Sequence, residues 1–266
     1  MQDNLNLIVF SKNRPMQLQA TIESSRLGCF DNIDVIYKSD DEYKEGYEIL
    51  KIRFPKVNFV EQTDFKKDLL GLFKYEWTCF AADDDIFYGQ FDKSILKEIT
   101  NDVVCFSLRL GMNINYCYSN DKPNQIKNYE DKGEFIKFNW REQELDFGYP
   151  LSVISHIFRT TQIKALSEKE VYSNPNIYEG VLQRHLEGLQ ANMVAYKQSR
   201  VFGVPANRVN DTNANRNGLK NPYTTEELNR MYLEGKKINV NKYFNITACQ
   251  QEIKYFFIGK ENCQDL

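Results

Sequence analysis

The sequence predicts an α/β protein built on a mainly parallel sheet flanked by helices. Between Leu5 and Ala82, short apolar runs alternate with longer stretches in which apolar residues recur at helical spacing. This βαβαβαβ order favours parallel strands, because each crossover helix returns the chain to the same edge of the sheet. The chain has 266 residues, of which 42% are hydrophobic, so it is long enough for one large domain with its own core.

The first half supplies most of the predicted sheet. Pro15 is suited to the first turn of a helix, and Leu18, Ile22 and Leu27 then share one helical face. The predicted elements of this half are a strand at 5–10, a helix from Pro15, a strand at 33–38, a helix at 43–54, a strand at 57–61, a helix at 64–75 and a strand at 77–82.

The second half is less regular. Apolar runs predict strands at 103–110 and 152–159, and a periodic stretch predicts a helix at 178–190. The polar stretch 113–134 is expected to be a loop, and 203–225, rich in Asn, Arg and Pro, a long functional loop. Because no repeat or linker interrupts the chain, we expect one domain whose second half completes a site.

Three carboxylates, Asp83 to Asp85, follow the predicted strand at 77–82 directly. Ligands of α/β proteins bind at the carboxyl ends of the strands. Two such charges about 4 Å apart repel by roughly 4 kcal/mol at an effective dielectric constant near 20, and a bound divalent cation would offset this repulsion. A solvated acidic turn or a helix cap is the alternative interpretation.

Composition excludes several other classes of protein. The net charge of −3 and the lack of a Lys/Arg block argue against nucleic-acid binding. Six cysteines without a CxxC pair, and His156 and His185 without ligand spacing to them, make zinc improbable and favour reduced thiols. No apolar run approaches the about 20 residues that span a bilayer, and no secretory signal is evident, so a cytoplasmic protein is expected.

The order of elements and a few short motifs resemble a GT-A-fold glycosyltransferase of the small bacterial family 2 type. These motifs are Ser11 to Pro15 after the first strand, Ser39 to Asp41 after the second, and the Asp triplet after the fourth. Glu179, 94 residues after Asp85 (179 − 85), is a further match, and Val204 to Asn210 is a weaker one. The resemblance covers nearly the whole chain.

This resemblance implies a nucleoside-diphosphate-sugar donor and Mn²⁺ or Mg²⁺ as cofactor. It assigns metal ligation first to Asp85, with Asp83 on the metal or the ribose. Helix capping, ordinary turns and surface charge pairs are alternative roles for several of the implied residues. The implied nucleotide-sugar contacts are Ser11, Asn13, Arg14, Ser39, Asp40, Asp41, Lys67, Asp68, Asp83 and Asp84.

The resemblance also implies a catalytic carboxylate. An inverting transferase uses a base to deprotonate the acceptor hydroxyl. Glu179 has the right order along the chain, although the family usually shows an acidic pair where this chain has Glu179-Gly180. Asp146, in an aromatic and Gly-containing segment, is the competing candidate, and an acidic residue in a first helical turn is the structural alternative for Glu179. A retaining mechanism stays open.

The expected function is therefore transfer of a sugar, of the hexosyl type, to a hydroxyl of a glycan or lipid-linked glycan. Bacterial surface-glycan synthesis would allow peripheral contact with the inner membrane face. Residues 1–110 would bind the donor and 111–266 the acceptor, with Arg208 or Arg216 meeting a phosphate. The alternatives are a nucleotidyltransferase, against which the absence of glycine in Ser11 to Pro15 counts, and a noncatalytic nucleotide- or sugar-binding module.

Overall fold

A computed structural model describes residues 4–210, 212, 216–243 and 245–259. All bounds below refer to these residues. The strands are β1 (Leu5–Lys12), β2 (Asn32–Lys38), β3 (Asn58–Glu61), β4 (Trp77–Ala82), β5 (Asp85–Phe87), β6 (Val103–Ser107), β7 (Tyr116–Cys117), β8 (Lys122–Pro123), β9 (Glu130–Lys132), β10 (Phe135–Asn139), β11 (His156–Arg159), β12 (Asn192–Tyr196), β13 (Val201–Gly203), β14 (Lys237–Ile238) and β15 (Phe257–Ile258).

Six α-helices lie within the described residues, and short 3₁₀ turns connect several elements. The helices are α1 (Pro15–Ser24), α2 (Lys44–Arg53), α3 (Phe65–Leu70), α4 (Thr160–Lys169), α5 (Pro175–Leu182) and α6 (Thr225–Leu233). The 3₁₀ turns are Ser25–Leu27, Asp41–Tyr43, Lys93–Glu98, Trp140–Glu142, Leu145–Gly148 and Gln183–Gly188.

In the described part of the chain, the main sheet has nine strands in the order β3-β2-β1-β4-β11-β6-β12-β10-β9. β1 pairs in parallel with β2 and β4, β2 with β3, and β6 with β12. β11 and β10 run antiparallel to their neighbours, so the other seven strands share one direction. The sheet is thus mixed but mostly parallel, which confirms the predicted α/β class.

The first-half elements agree with the sequence pattern. β4 has the predicted bounds, and the ends of β1, β2 and β3 differ from prediction by at most two residues. The third predicted helix, 64–75, is shorter than expected, because α3 ends at Leu70 and Gly71 follows it directly. Asp64 begins that helix as its N-cap, with its carboxylate accepting the backbone N–H of Lys67.

Three predictions in the second half need correction. The strand expected at 103–110 ends at Ser107. The strand expected at 152–159 begins only at His156, because Ser155 has φ 55°, which is not extended backbone. The helix expected at 178–190 begins at Pro175, where Asn174 caps it, and gives way to a 3₁₀ turn at Gln183. Glu179 therefore lies inside α5 rather than at its start.

Several elements were not predicted. The expected loop 113–134 contains the short strands β7, β8 and β9, while β10, β12, α4 and α6 had no separate assignment from the sequence. β10 and β12 are five residues each, and they pair with each other although more than 50 residues separate them; β12 also pairs with the distant β6. Short segments of this kind are strands by virtue of their partners, and local pattern alone does not identify them.

Helices cover both faces of the sheet and form two hydrophobic cores. Along β1, Leu7 and Val9 belong to one core and Ile8 and Phe10 to the other, as the alternation of strand side chains requires. The first core includes residues of α1, α2 and α6, and the second includes residues of α3, α4 and α5. Burial of each Leu, Val or Phe side chain stabilises the folded protein by about 1.5–3 kcal/mol. The packed helices therefore hold the strands, and with them the strand ends, in fixed positions.

The two halves of the chain share this sheet. β6, β10, β11 and β12 continue the sheet begun by β1 to β4, so the described residues form a single domain. Across the described ranges, every helix is too short or too polar to cross a membrane.

Candidate functional site

A cavity of about 380 Å³ opens at the carboxyl ends of β1, β2 and β4. This is the edge at which the topology of an α/β sheet places ligands. Among the described residues, its lining includes two carboxylates, those of Asp83 and Asp84. It also includes five cationic side chains, those of Lys12, Arg14, Lys38, Arg208 and Arg216, which make the cavity positive overall.

The Asp triplet forms the turn between β4 and β5. Asp83 is 3% exposed and accepts the backbone N–H of Lys12 through Oδ2 at 3.1 Å. The carbonyl of Asp84 accepts the N–H of Val204 at 2.9 Å, which ties the turn to the segment after β13. The predicted position of the triplet, at the end of a buried strand, is confirmed.

Arg14 forms ion pairs with both carboxylates that line the cavity. Its Nη1 lies 2.9 Å from Asp83 Oδ1 and 3.0 Å from Asp84 Oδ2, and the side chain is almost fully buried. Burial raises the pKa of Asp83, and the charge of Arg14 opposes that rise. Nε of Arg14 donates to Asn207 Oδ1 at 2.8 Å, so the same side chain also reaches the segment after β13.

Asp85 has a different environment from the other two carboxylates. It is the first residue of β5, is 0% exposed and is not among the residues that line the cavity. Oδ2 accepts the N–H of Ala82 at 2.9 Å, while Oδ1 accepts no hydrogen bond from the described residues. Burial, with the charge of Asp84 as the second cause, raises the pKa of Asp85 to about 8, which favours the protonated form of this carboxyl more than at Asp83. The structure brings Asp83 and Asp84 to the cavity, while metal ligation by Asp85 stays a prediction.

The donor set at the cavity fits a divalent cation that arrives with phosphate. No group of three or more His, Cys, Asp or Glu side chains within the described ranges is placed to hold a metal on its own. Mg²⁺, however, is usually held by one or two carboxylates together with substrate phosphates. Asp83 Oδ1 and Asp84 Oδ2 converge on a single nitrogen of Arg14, which shows that they can share one cation.

The ends of β1 and β2 are linked by predicted residues. Asn13 has φ 55°, and its side chain donates to Asp40 Oδ2 at 2.6 Å and accepts the N–H of Asp40 at 2.9 Å. Ser11 lines the main cavity, and its hydroxyl lies 2.7 Å from that of Tyr47. Asn13, Asp40 and Asp41 line a second cavity of about 350 Å³, which shares Lys12, Arg208 and Val209 with the first.

Three predicted contacts, Ser39, Asp41 and Asp68, make contacts within the protein, and a fourth, Lys67, is exposed. Ser39 Oγ donates to the carbonyl of Asp40, and the exposed Asp41 pairs with Lys44 at 2.7 Å. Asp68 accepts the N–H groups of Thr63 and Asp64, and Lys67 is exposed. Ser39, Lys67 and Asp68 line neither cavity. Near α3, the residues that line the first cavity are Gln62 and Phe65. For Ser39 the turn alternative describes the geometry. The surface charge pair that was the alternative for Lys67 and Asp68 is not seen among the described residues, since Asp68 accepts backbone N–H groups instead.

Glu179 lies on α5 beside the cavity wall. Its Oε1 accepts the hydroxyl of Ser152 at 2.9 Å and the N–H of Val153 at 3.0 Å. No described residue donates a hydrogen bond to Oε2, and the residue is partly exposed. Glu179 does not line the cavity itself, but Ile154, next to its partner Val153, does. A carboxylate held by one oxygen with the other open suits a general base.

Asp146 is held on both oxygens. Arg109 Nη2 lies 3.0 Å from Oδ1, and Asn124 Nδ2 donates to Oδ2 at 2.8 Å. The side chains of Asp146 and Arg109 are 12% and 7% exposed. A buried carboxylate in such a network is poorly placed to accept a proton from a substrate, because the charge-assisted bonds would be lost.

Several cavity residues were missed from the sequence. Lys12 and Asn207 lie inside motifs that the sequence singled out, but no role was assigned to them. Lys38, at the end of β2, had no motif at all. Asn207 accepts a hydrogen bond from Arg14, 193 residues away in the chain. Sequence spacing does not predict a contact between residues so far apart. Both Arg208 and Arg216, of which one was expected to meet phosphate, line the cavity.

One curated protein with a similar sequence is a glycosyltransferase, as the sequence motifs predict. No family model matches the chain. Over 192 residues it is 26% identical to the bifunctional glycosyltransferase pgtA of Dictyostelium discoideum, an alignment that covers 62% of this chain. The aligned part is 25% of that protein, so the chain spans about a quarter of this relative's length. The similarity confirms the predicted resemblance to glycosyltransferases.

Solved structures give weaker likenesses. S. aureus TarS 1-349 in complex with UDP has a TM-score of 0.47 at 13% identity, covering 76% of this chain and 61% of that one. The mannosyltransferase PcManGT from Pyrobaculum calidifontis, in complex with GDP-Man and Mn²⁺, has a TM-score of 0.40 at 10% identity, covering 74% and 55%. At these TM-scores the two likenesses carry no further argument about the site.

Proposed function

We propose that this chain is a glycosyltransferase that moves a sugar from a nucleoside-diphosphate donor to a hydroxyl acceptor. One observation carries the proposal. A cavity at the carboxyl edge of the sheet is lined by five cations together with the paired carboxylates of Asp83 and Asp84. A positive cavity attracts a diphosphate, and a carboxylate pair suits the cation that accompanies it. The similarity to a glycosyltransferase relative supports the same class of reaction.

The cofactor we propose is Mn²⁺ or Mg²⁺, held by Asp84 and Asp83 together with the donor phosphates. When bound, the cation would neutralise the charge that develops on the leaving diphosphate. Lys12, Lys38 and the cavity arginines would bind the same phosphates from the other sides. Asp85, the first choice of metal ligand from the sequence, is buried in β5 and does not line the cavity, so in this proposal it would support the turn instead.

For the base we propose Glu179, with inversion at the sugar. Its Oε1 is fixed by the Ser152–Val153 turn, so that Oε2 is presented with a defined orientation. Oε2 would accept the proton of the acceptor hydroxyl as that oxygen attacks the anomeric carbon. The diphosphate departs with the electrons of the bond that breaks. Asp146 would instead hold Arg109 in place.

The acceptor side belongs to the second half of the chain. Glu179 and Asp146 both lie in 111–266, whereas Asp83, Asp84 and Arg14 lie in 1–110. The division is not strict, because Arg208 and Arg216 of the second half also line the proposed donor cavity. We propose a hexosyl transfer to a glycan or lipid-linked glycan in bacterial surface-glycan synthesis, at the cytoplasmic face of a membrane. This part of the proposal is supported by the family resemblance alone.

The first experiment is a thermal-shift screen of UDP-, GDP-, CMP- and dTDP-linked sugars, each with and without Mn²⁺. A ligand that binds the folded state raises the unfolding midpoint by mass action. We expect one nucleotide class to raise it, and Lys38→Gln to reduce that shift because it removes one cation from the cavity. Lys236→Gln, which neutralises a half-exposed lysine paired with Glu234, is the matched control and should leave the shift unchanged.

Turnover assays with the donor that the screen identifies separate the alternatives. Release of nucleoside diphosphate, followed by chromatography, identifies a transferase, whereas binding without turnover identifies a noncatalytic module. Release of pyrophosphate from a nucleoside triphosphate and a sugar phosphate would identify a nucleotidyltransferase. No shift with any donor, in protein whose fold is intact by circular dichroism, would contradict the proposal.

A further inference from the structure

Arg14 is a buried cation that joins two parts of the cavity wall. On one side, Nη1 contacts Asp83 Oδ1 at 2.9 Å and Asp84 Oδ2 at 3.0 Å. On the other side, Nε donates to Asn207 Oδ1 at 2.8 Å and Nη2 donates to the carbonyl of Asn207. Arg14 is 7% exposed, so these protein partners replace water around the guanidinium. A charged group this far from solvent is stable only where it is paired in this way.

Nη1 of Arg14 occupies the position between the two carboxylates that a metal ion would need. Both oxygens, Asp83 Oδ1 and Asp84 Oδ2, converge on the single atom Nη1. A divalent cation of the Mg²⁺ or Ca²⁺ type binds oxygen at about 2.0–2.6 Å, closer than the guanidinium does. The cation and Nη1 therefore cannot occupy the place between the two oxygens together, and two positive charges would repel there.

We propose that Arg14 and a divalent cation are alternative partners of Asp83 and Asp84. Binding of the cation would displace the guanidinium from the carboxylates and from Asn207, toward the cavity. This inference rests on the proposed function, because the donor supplies the anion that Arg14 meets next. Arg14 lines the same cavity, so a diphosphate bound there lies within reach of the displaced side chain.

The exchange makes cation and diphosphate binding cooperative. In the absence of a donor, Arg14 competes with the cation and weakens its binding. A diphosphate gives Arg14 a new partner for charge-assisted hydrogen bonds and so lowers the cost of displacing it. By thermodynamic linkage, the cation and the diphosphate increase each other's binding affinity by the same factor.

The test measures Mn²⁺ binding alone, from the electron paramagnetic resonance signal of free Mn²⁺, without nucleotide. Arg14→Gln removes the competitor and should tighten Mn²⁺ binding by about tenfold or more, within the usual range of such couplings. Arg208→Gln is the matched control, since it removes a cation from the same cavity without a described contact to either carboxylate. If the gain came from the overall charge of the cavity, both variants would show it equally.

A second measurement uses the unaltered protein, because Arg14→Gln leaves the buried Asp83 and the partly exposed Asp84 without a charged partner and risks misfolding. Phenylglyoxal modifies accessible arginine, and peptide mass spectrometry locates the product. Added Mn²⁺, at a concentration shown to bind, should increase labelling of Arg14. Arg109, 6% exposed and paired with Asp146, should stay protected with and without Mn²⁺.

The outcomes separate this inference from the proposed function. Tighter Mn²⁺ binding in Arg14→Gln alone, with Mn²⁺-dependent labelling of Arg14, supports the exchange. Equal Mn²⁺ affinity in folded Arg14→Gln and unaltered protein, or labelling of Arg14 that ignores bound Mn²⁺, overturns it. If nucleotide sugars bind and turn over in the thermal-shift and release assays while Mn²⁺ never binds, the exchange is wrong and the transferase proposal stands.

Discussion

The hydroxyl of Thr21 lies 2.9 Å from the carbonyl oxygen of Asp83 and 2.8 Å from that of Asp85. Thr21 is fully buried on α1, so a helix on one face of the sheet holds the turn that carries the acidic triplet. One hydroxyl hydrogen shared between two carbonyls fixes the turn at both ends. The positions of the carboxylates therefore depend on a residue that does not line the cavity.

Thr21→Val should destabilise the protein by about 1–3 kcal/mol, because a side chain of the same shape leaves buried carbonyls without their donor. Urea unfolding followed by circular dichroism measures the loss. Thr21→Ser keeps the hydroxyl and should retain more of the donor-induced thermal shift than Thr21→Val. Equal shifts in both variants would show that the turn does not need this hydrogen bond.

Glu179→Gln should lower kcat by about 10²–10⁴ while leaving donor binding unchanged, since the amide keeps the shape of the side chain but cannot accept the proton. Sugar transfer under saturating donor, and the thermal shift with the same donor, give the two values. Glu187→Gln, at an exposed position shortly after α5, is the matched control and should be active. Full activity in Glu179→Gln would remove this residue from the role of base.

Asp146→Asn should act mainly on stability. The change leaves the buried guanidinium of Arg109 without its charged partner, which costs about 3–5 kcal/mol for a pair of this kind. Denaturant unfolding reports the cost, and transfer activity per folded molecule should stay within the same order as that of the unaltered protein. A variant of unchanged stability that had lost turnover would instead identify Asp146 as the catalytic carboxylate.

His156 should make the protein sensitive to acid. Burial, with the charge of Arg109 as the second cause, lowers the pKa of His156 from 6.5 to about 3. Between these values the unfolded chain binds a proton that the folded chain does not, so stability is lost as pH falls from about 6.5 toward 3. From pH 7 to 4.5, this residue alone should cost about 2–3 kcal/mol.

His156→Phe removes this titration, so the difference in unfolding free energy between it and the unaltered protein should change by that amount between the two pH values. Phe158→Leu, in the same strand, is the control, because its effect should be the same at both. A pH-independent difference for His156→Phe would show that the imidazole takes up its proton in the folded state as readily as in the unfolded one.

The sequence predicted the parts of the site that follow from local pattern. β4 and the turn after it were identified because an apolar run ends abruptly at three carboxylates. His156 also lies within an apolar run of the sequence, and the structure buries it with Nδ1 3.2 Å from the carbonyl oxygen of Pro150. In both cases the hydrophobic neighbours in the sequence decide burial, so no distant partner has to be known.

The sequence by itself determined the α/β class, the first four strands and the acidic edge at which we propose that the donor binds. Only the tertiary structure decided that Asp83 and Asp84 face the cavity while Asp85 is buried in β5 against β13. It alone joined Arg14 to Asn207 and gave Glu179 its support from Ser152. The physical reason is that hydrophobic periodicity is a local property of the chain, whereas the direction and charge partner of a polar side chain depend on segments brought together by packing.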